Sequence, residues 1–151
     1  MRSDVLNSSS GNYGKQYDLL PYESITAAKS LDADDSGKVF TLDLAAGFTV
    51  TLPAISSVPA GWYVKIVIGT NCTSNSYIIT ENATFDTDIL VSQFNELEVD
   101  TSDDGPSSTG HTTITFADGV AIAGDWVELL CDGTNWYATG QTKADGGITL
   151  A

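Results

Sequence analysis

Basic side chains are scarce in this chain of 151 residues. Lys and Arg number 6 against 20 Asp and Glu, which gives a net charge of −14 at pH 7. Neither Lys nor Arg occurs between Lys65 and Lys143. Nucleic-acid binding needs these side chains to replace phosphate counterions, and anionic membrane surfaces attract them as well. The composition therefore argues against nucleic-acid and membrane partners, and leaves proteins, neutral carbohydrates and metal cations as candidates.

Cysteine and long apolar segments are also scarce. The two cysteines, Cys72 and Cys131, do not make a disulfide framework, and their place in or beside strand-like segments favours buried free thiols over a bridge. No segment approaches the length of a membrane-spanning helix. The first residues, Met1 to Asp4, lack the apolar stretch of a signal peptide, so none is predicted.

Residues typical of β proteins with many turns are abundant, with 18 Thr, 15 Ser and 14 Gly. Apolar and polar residues alternate with the period of a strand in short segments between turn residues. These segments lie at 40–44, 48–52, 62–68, 77–80, 113–116, 126–131 and 135–139, with weaker candidates at 89–91 and 94–99. Asp132-Gly133 joins segments 126–131 and 135–139, and this dipeptide favours the tight type I′ turn of a hairpin.

This pattern predicts an all-β fold, a single antiparallel β-sandwich or jelly roll of about nine strands. Clean alternation is typical of antiparallel sheets with one solvated face. Residues 24–30 fit either a short helix or a strand, and residues 100–110 should form an exposed, mobile loop. We find no long amphipathic helix and no internal repeat in the sequence.

The N-terminal 23 residues differ from the rest. We therefore divide the chain into an extended arm, residues 1–23, and a β domain, residues 24–151. A polar run is followed in the arm by Tyr13, Tyr17, Leu19, Leu20 and Tyr22, which show no helical or strand period. A frayed terminus is one interpretation. The other is an arm that becomes ordered on a partner, and the tyrosines favour it because they supply large contact area at small entropic cost.

One stretch has the spacing of a calcium-binding loop. Asp32, Asp34 and Ser36 match positions 1, 3 and 5 of an EF-hand pattern, with Gly37 at position 6 and Asp43 at position 12. The segment that follows alternates as a strand, where an EF-hand needs a helix. We therefore predict an acidic turn, in which Asp and Ser side chains bond to nearby backbone and Gly37 adopts positive φ. We assign no metal and no cofactor.

No group of residues that could carry catalysis is evident in the sequence. His111 is the single histidine, and no Gly-x-Ser-x-Gly elbow supplies a nucleophile for it. The eight carboxylates from Glu81 to Asp104 could include a glycosidase pair, but solvated loop and strand-edge positions account for them without selecting a pair. We therefore predict no catalytic residues.

The three tryptophans lie on alternating strands, which favours packing in the core or between subunits over sugar binding. Trp126 and Trp136 flank one hairpin, across which they could stack.

Two stretches are similar to proteins of one structural class. Residues 31–53 read LDADDSGKVFTLDLAAGFTVTLP, and residues 124–140 read GDWVELLCDGTNWYATG. Together they resemble small β-rich structural proteins of tailed bacteriophages, including head decoration (cement) proteins and domains of tail fibres. The pattern covers roughly residues 31–140. The second stretch, a strand followed by an Asp-Gly turn and Asn-Trp-Tyr, is the more specific of the two.

The resemblance implies a homotrimer at a local three-fold position on the outer surface of an icosahedral virion, where it binds the major capsid protein and stabilises the shell. One domain with an arm favours this role over a fibre. The acidic segment 96–104 then faces solvent. Two alternatives stay open: a receptor- or carbohydrate-binding module of a tail fibre or baseplate, and a secreted acidic carbohydrate-active enzyme. The expected capsid contacts are the arm residues Tyr13, Tyr17, Leu19, Leu20 and Tyr22.

Overall fold

The computed structural model describes residues 20–98 and 105–151 of the chain. Within these residues the secondary structure is mainly strand, with two short 3-10 helices at Ala33–Asp35 and Ile55–Ser57. The predicted all-β class is confirmed. The twelve strands are β1 Tyr22–Ile25, β2 Lys29–Ser30, β3 Val39–Leu42, β4 Thr49–Thr51, β5 Tyr63–Ile68, β6 Tyr77–Thr80, β7 Leu90–Glu96, β8 Ser107–His111, β9 Thr113–Phe116, β10 Trp126–Cys131, β11 Trp136–Thr142 and β12 Ile148–Leu150.

The strands form two sheets around one core. The large sheet has seven strands in the order β1-β3-β5-β10-β11-β7-β8, and the small sheet has five in the order β12-β9-β6-β4-β2. Buried side chains from both sheets belong to a single apolar cluster. Because side chains alternate along each strand, one face of each sheet packs into this core and the other points outward.

The first six strands wind as a coil. Strands β1, β3 and β5 lie side by side and parallel in the large sheet, and β2, β4 and β6 do the same in the small sheet. Each connection therefore carries the chain from one sheet to the other. This winding lets neighbouring strands run parallel without the crossover helix that parallel strands usually need.

The prediction of a single antiparallel sandwich or jelly roll is not confirmed, because both sheets are mixed. Parallel pairing joins β1 to β3, β3 to β5, β7 to β11, β2 to β4 and β4 to β6. Alternation reports which face of a strand is buried, but not the direction of its neighbour. The coil also leaves no repeat in the sequence, since the aligned residues Lys29, Val50 and Ile79 are joined by connections of unequal length.

Trp62 and Trp136 are the largest side chains of the core. Both are buried, and their rings meet edge to face with centroids 5.2 Å apart and an interplanar angle of 81°, a geometry that aromatic quadrupoles favour. The Trp62 indole also donates to the Asp32 carbonyl at 3.1 Å. The predicted packing role is confirmed for these two residues. The predicted contact between Trp126 and Trp136 is wrong, because Trp126 lies opposite Gln141, at the other end of the hairpin.

Cys72 and Cys131 are buried free thiols, as the sequence predicts. Burial is the main cause that raises the pKa of both thiols. Since the thiolate is the reactive form of cysteine, a raised pKa keeps these side chains inert at neutral pH.

The hairpin predicted at Asp132-Gly133 is present, but its turn is longer than expected. Residues 132–135 connect β10 to β11. A type I′ turn needs positive φ at two successive residues, whereas in this connection Gly133 alone has it, at +93°. The Asp132 carboxylate instead accepts from the backbone N–H groups of Thr134 and Asn135, each at 2.7 Å. An aspartate side chain therefore organises the turn.

Two strands have no counterpart in the sequence prediction. β8 overlaps the end of the segment expected to be a mobile loop, and β12 lies close to the end of the chain. Ser, Thr and Gly dominate β8, so it lacks the apolar alternation that identifies a strand. Residues 99–104 of the expected loop lie outside the described residues. β7 is one continuous strand where the pattern predicts two weaker segments.

Substitution of Gly140 tests how closely the central strands β10, β11 and β7 pack. This glycine lies in β11 between β10 and β7, where a Cβ atom would fall 2.2 Å from the Trp126 carbonyl oxygen and 3.1 Å from the Phe94 ring. We expect Gly140→Ala to lower the free energy of unfolding by about 1–3 kcal/mol, because relief of this overlap must displace backbone. Urea unfolding monitored by tryptophan fluorescence measures the change.

Thr139→Ala is the matched control for this substitution. Thr139 is the exposed neighbour of Gly140 in the same strand, and surface substitutions usually change stability by less than about 0.5 kcal/mol. Equal unfolding midpoints for Gly140→Ala and wild type would contradict the close approach of β10 to β11.

Candidate interaction surface

The outer face of the large sheet carries aromatic and aliphatic side chains. Alternate residues of β5, β10 and β11 are buried in the core, so their neighbours point outward. Tyr63, Leu130, Tyr137 and Val91 are aligned in one row across β5, β10, β11 and β7. We define the large-sheet face as the outward side chains Tyr22, Ser24, Val39, Thr41, Tyr63, Lys65, Val67, Val91, Gln93, Asn95, Trp126, Glu128, Leu130, Tyr137, Thr139 and Gln141.

Several large side chains of this face remain exposed to water. Leu130 is 44% exposed and Tyr137 is 41% exposed, while Tyr22 on the edge strand is 64% exposed. A shallow depression of about 210 Å³ is lined by Tyr63, Glu128, Leu129, Leu130, Tyr137 and Thr139. An exposed apolar surface that crosses several strands is typical of a site that binds a partner.

Lys65 and Glu128 are the charged members of the large-sheet face, and they neutralise each other. Nζ of Lys65 lies 3.1 Å from the Glu128 carboxylate and 4.0 Å from the centre of the Trp126 ring. Burial, followed by hydrogen bonding to Glu128, raises the pKa of the Tyr63 hydroxyl, so this hydroxyl stays neutral. The two charges therefore compensate at the centre of the face, while two carboxylates lie at its border, where Asp43 accepts from Ser24 and Thr41 and Asp132 bonds to Tyr137.

Two of the predicted arm contacts continue this face. Tyr22 points outward from β1, and its hydroxyl lies 2.9 Å from that of Thr41. Leu20, two residues earlier, is 70% exposed. The predicted arm therefore ends inside β1 rather than before it. The other predicted contacts, Tyr13, Tyr17 and Leu19, lie outside the described residues.

The free edge of β1 is protected against pairing with a further strand. Glu23 occupies an inward position of β1, opposite Phe40. It accepts a hydrogen bond from Lys29 at 2.6 Å, and Lys38 lies 3.7 Å away. Inward charges at a sheet edge disfavour strand addition, because an added strand would have to bury them. β1 therefore presents its outward side chains, rather than its backbone, for binding.

The predicted acidic turn is confirmed. Asp32 begins a 3-10 helix, with its carboxylate accepting from the Asp34 N–H at 2.9 Å. The Asp35 carboxylate accepts from the Asp32 N–H at 3.1 Å and from Lys38 at 2.5 Å. Gly37 adopts φ of +84°, as predicted.

Asp43, the twelfth residue of the calcium-loop pattern, has other partners. Its carboxylate accepts from the hydroxyls of Ser24 and Thr41 at 2.5 and 2.6 Å, and these bonds lower its pKa. Gly69 leaves room for it, since a Cβ atom there would lie 2.0 Å from Asp43 Oδ1. Among residues 20–98 and 105–151, no group of three or more His, Cys, Asp and Glu is arranged to hold a metal ion.

His111 and Ser92 form a buried pair on the adjacent strands β8 and β7. Nε2 of His111 lies 2.8 Å from Ser92 Oγ, and Nδ1 lies 3.1 Å from the Thr113 carbonyl oxygen. A carbonyl can only accept, so Nδ1 carries the proton and the Ser92 hydroxyl donates to Nε2. A hydrolase has a similar contact, but there a carboxylate orients the histidine and substrate reaches the serine. Both side chains are buried here, so the pair joins β7 to β8.

Part of the acidic stretch that we expected to be solvated is buried. Glu81 and Asp86 are both inaccessible. Glu81 accepts from the N–H groups of Asp88 and Ile89 at 2.9 and 3.1 Å, and Asp86 accepts from the Ile55 N–H at 3.0 Å. Buried N–H groups need an acceptor where no strand ladder supplies one. These carboxylates therefore organise the connection between β6 and β7, and nothing in their spacing distinguishes them from solvated ones.

Sequence reasoning does not identify the large-sheet face. Tyr63, Leu130 and Tyr137 are distant in the sequence, and the pairing of β5, β10 and β11 brings them together. One signal is present: each is a large apolar or aromatic residue at the outward phase of an alternating strand, where a solvated face would carry a polar side chain.

The Ser92–His111 pair predicts that folding stability depends on pH. Burial lowers the pKa of His111 below its ordinary value of 6.5. The unfolded chain therefore binds a proton at pH values at which the folded chain does not. The stability that depends on neutral His111 is fully present above about pH 6.5. It decreases as the pH falls toward the pKa that His111 has in the folded chain. We expect the free energy of unfolding to be lower at about pH 5 than at about pH 7.

Urea unfolding at the two pH values measures this difference. His111→Gln is the matched control, because glutamine keeps hydrogen-bonding groups but does not titrate. We expect the decrease to be smaller in this variant than in wild type. An equal decrease in both proteins would assign the pH dependence to other groups and contradict the prediction.

Comparisons with known proteins identify no relative. A scan of the chain against protein-family models finds no match, and no curated protein sequence matches it significantly. No helix of the described residues is long and apolar enough to cross a membrane.

Proposed function

We propose that this chain is a structural virion protein without enzymatic activity. It is a decoration protein that binds the outer surface of a tailed-phage capsid as a homotrimer and stabilises the shell. The observation that carries the proposal is the exposed aromatic and aliphatic surface of the large-sheet face, which continues through Tyr22 and Leu20 toward the N-terminal arm. Surfaces of this kind are typical of proteins that act by binding other proteins.

The arm supplies the capsid contacts in this proposal. Residues 1–19 precede Leu20, which lies next to the exposed edge strand β1. An arm that contacts the major capsid protein adds contact area that the domain lacks. A protein that binds the assembled shell more tightly than its separate subunits stabilises the shell by mass action.

The charge distribution supports a position on the outside of the shell. The first 43 residues hold seven acidic and four basic residues, and the rest of the chain holds thirteen and two. The acidic part is repelled by packaged nucleic acid and has no basic surface to bind it. The two-sheet sandwich is then the solvent-facing body, and the less acidic N-terminal part is the docking end.

Removal of residues 1–19 tests the arm. The truncation ends before Leu20, so that β1 and the ion pair of Glu23 with Lys29 stay intact. We expect the truncated protein to melt at the same temperature as the full chain but to lose binding to capsids of the parent phage. Co-sedimentation with capsids over a range of protein concentrations measures binding. Unchanged affinity would contradict the role of the arm.

Tyr22→Asp and Phe85→Asp form a matched pair of point variants in the same assay. Both residues are exposed aromatics, at 64% and 71%, but Phe85 lies in the connection between β6 and β7. We expect Tyr22→Asp to weaken capsid binding about tenfold or more, as loss of an aromatic anchor does. Phe85→Asp should bind as wild type. Equal losses in the two variants would indicate general apolar adhesion rather than a specific arm contact.

A receptor- or carbohydrate-binding module is the second candidate, and the depression on the large-sheet face favours it. Tyr63 and Tyr137 line this depression together with Glu128. Aromatic rings can stack on sugar faces while a carboxylate accepts from sugar hydroxyls. The tryptophans do not offer such a site, since Trp62 and Trp136 are buried and Lys65 lies over Trp126.

Glycan binding by the purified protein tests this candidate. An array of neutral glycans is probed with wild type, Tyr137→Ala and Phe85→Ala. Binding that is lost in Tyr137→Ala and kept in Phe85→Ala would favour the carbohydrate-binding module. No binding to any glycan, with capsid binding intact, would favour the decoration protein.

A further inference from the structure

We infer that the large-sheet face is the surface through which copies of this chain associate. The inference rests on the proposed function, in which the chain acts as a trimer, and it names both the face that becomes buried and its occupant. The occupant is a second copy of this chain. Leu130 and Tyr137, at the centre of the face, are the expected anchors.

The composition of the face fits a protein interface. Tyr63, Leu130 and Tyr137 form one row across the strands. Glu128 lies in the next row, and Trp126 lies in the row after that. Tyrosine and tryptophan are enriched at the centre of interfaces, where charged residues are depleted. All of these side chains are carried by paired strands of one sheet, so little conformational freedom is lost when they are buried.

Charge favours the centre of this face for contact between identical copies. Two chains that each carry −14 repel one another, and the repulsion is smallest where the surfaces that meet carry little net charge. Lys65 and Glu128 are paired at 3.1 Å within each copy, and the Asp43 carboxylate at the border accepts from the Ser24 and Thr41 hydroxyls. Association through the centre of the face would therefore bury no charge without a partner.

The outer face of the small sheet carries no charged side chain among the residues that point outward from its strands, but it is polar. Its outward side chains offer hydroxyl groups and little apolar area, so their burial would give a small hydrophobic gain. They are Ser30, Thr49, Thr51, Ile78, Thr80, Thr113, Thr115 and Thr149. Strand addition at β1 is disfavoured by the inward Glu23 and its lysine partners. The large-sheet face is thus the better contact among these surfaces.

The size of the face is at the lower limit of a specific interface, since two copies together would bury about 1,000 Å². Six strands spaced about 4.8 Å apart, each about five residues long at about 3.3 Å per residue, give roughly 500 Å². A standard interface buries about 800 Å² on each partner. Leu20 and Tyr22 lie at the border of the face, where their exposed side chains add apolar area. Copies related by a closed rotation place these faces toward a common axis, around which each Leu130 meets a neighbouring copy.

Matched charge insertions test the inference on the full chain. Leu130→Glu places a carboxylate at the centre of the large-sheet face, and Thr149→Glu places the same group on the outer face of the small sheet. Sedimentation equilibrium over a range of concentrations measures the mass. We expect wild type and Thr149→Glu to sediment at a multiple of the 15.9 kDa chain mass. Leu130→Glu should sediment as a monomer or associate at least tenfold more weakly.

Circular dichroism checks that each variant is folded, and Tyr137→Glu replaces Leu130→Glu if the latter is not. Wild type that stays monomeric at every concentration would overturn the inference. So would association of a folded Leu130→Glu or Tyr137→Glu protein equal to that of wild type. A chain that is monomeric until residues 1–19 are removed, and then associates, would overturn it as well, because its own N-terminal segment would be the occupant.

The outcome separates this inference from the proposed function. A dimer that Leu130→Glu dissociates would support the face as the contact, while contradicting the trimer of the proposed function. Capsid co-sedimentation of wild type reports on the decoration role by itself. A protein that binds capsids but whose association does not respond to Leu130→Glu would keep the proposed function and overturn the inference.

Discussion

The fold depends on one shared core, which the inward side chains of both sheets must fill together. Because side chains alternate along a strand, a shift of one residue in any strand would exchange its core and surface sets. In the coil of β1 to β6 this constraint fixes the register of neighbouring strands, so that Phe40 and Ile66 meet in the core. Side chains at the outward positions of the strands do not have to fill the core. Large apolar residues at these positions, such as Leu130 and Tyr137, stabilise the sheet as cross-strand neighbours, and the proposed binding role would bury the parts of them that remain exposed.

Carboxylates support the connections of this fold. A chain that passes repeatedly from one sheet to the other leaves backbone N–H groups at each connection without a ladder partner. Asp125 is buried, and it accepts from the N–H groups of Ile122 and Lys143 and from the Thr142 hydroxyl, each at 3.0 Å. Glu81 has the same role after β6. Some of the carboxylates that contribute to the net charge of −14 are therefore buried acceptors for backbone N–H groups. Counting charges in the sequence overestimates the acidity of the surface for this reason.

The sequence predicts the strands better than it predicts their arrangement. Residues 77–80, 113–116 and 126–131 are strands with the predicted bounds, because alternation is a local property of the chain. Parallel pairing is a property of two distant segments, and alternation carries no information on it. β8 was not predictable for another reason, since its stability comes from pairing with β7 and from the His111–Ser92 contact rather than from apolar residues of its own. The arm was recognisable as a separate element from its composition, but the large-sheet face became visible only when β5, β10 and β11 were paired.

An exposed apolar face and a free sheet edge would usually make a protein aggregate. In this chain, one set of charged residues disfavours strand addition at the edge, and another disfavours contact between copies. At the edge, Glu23 lies inward between Lys29 and Lys38, so that an added strand would have to bury an ion pair. Across the rest of the molecule, the excess of carboxylates keeps copies apart except where uncharged surfaces meet. In the proposed association, Tyr63, Leu130 and Tyr137 can be exposed without general adhesion, because repulsion between carboxylates disfavours contact through the acidic surfaces. On this proposal the strong acidity and the apolar face act together, since repulsion elsewhere adds to the specificity of contact at the centre of the large-sheet face.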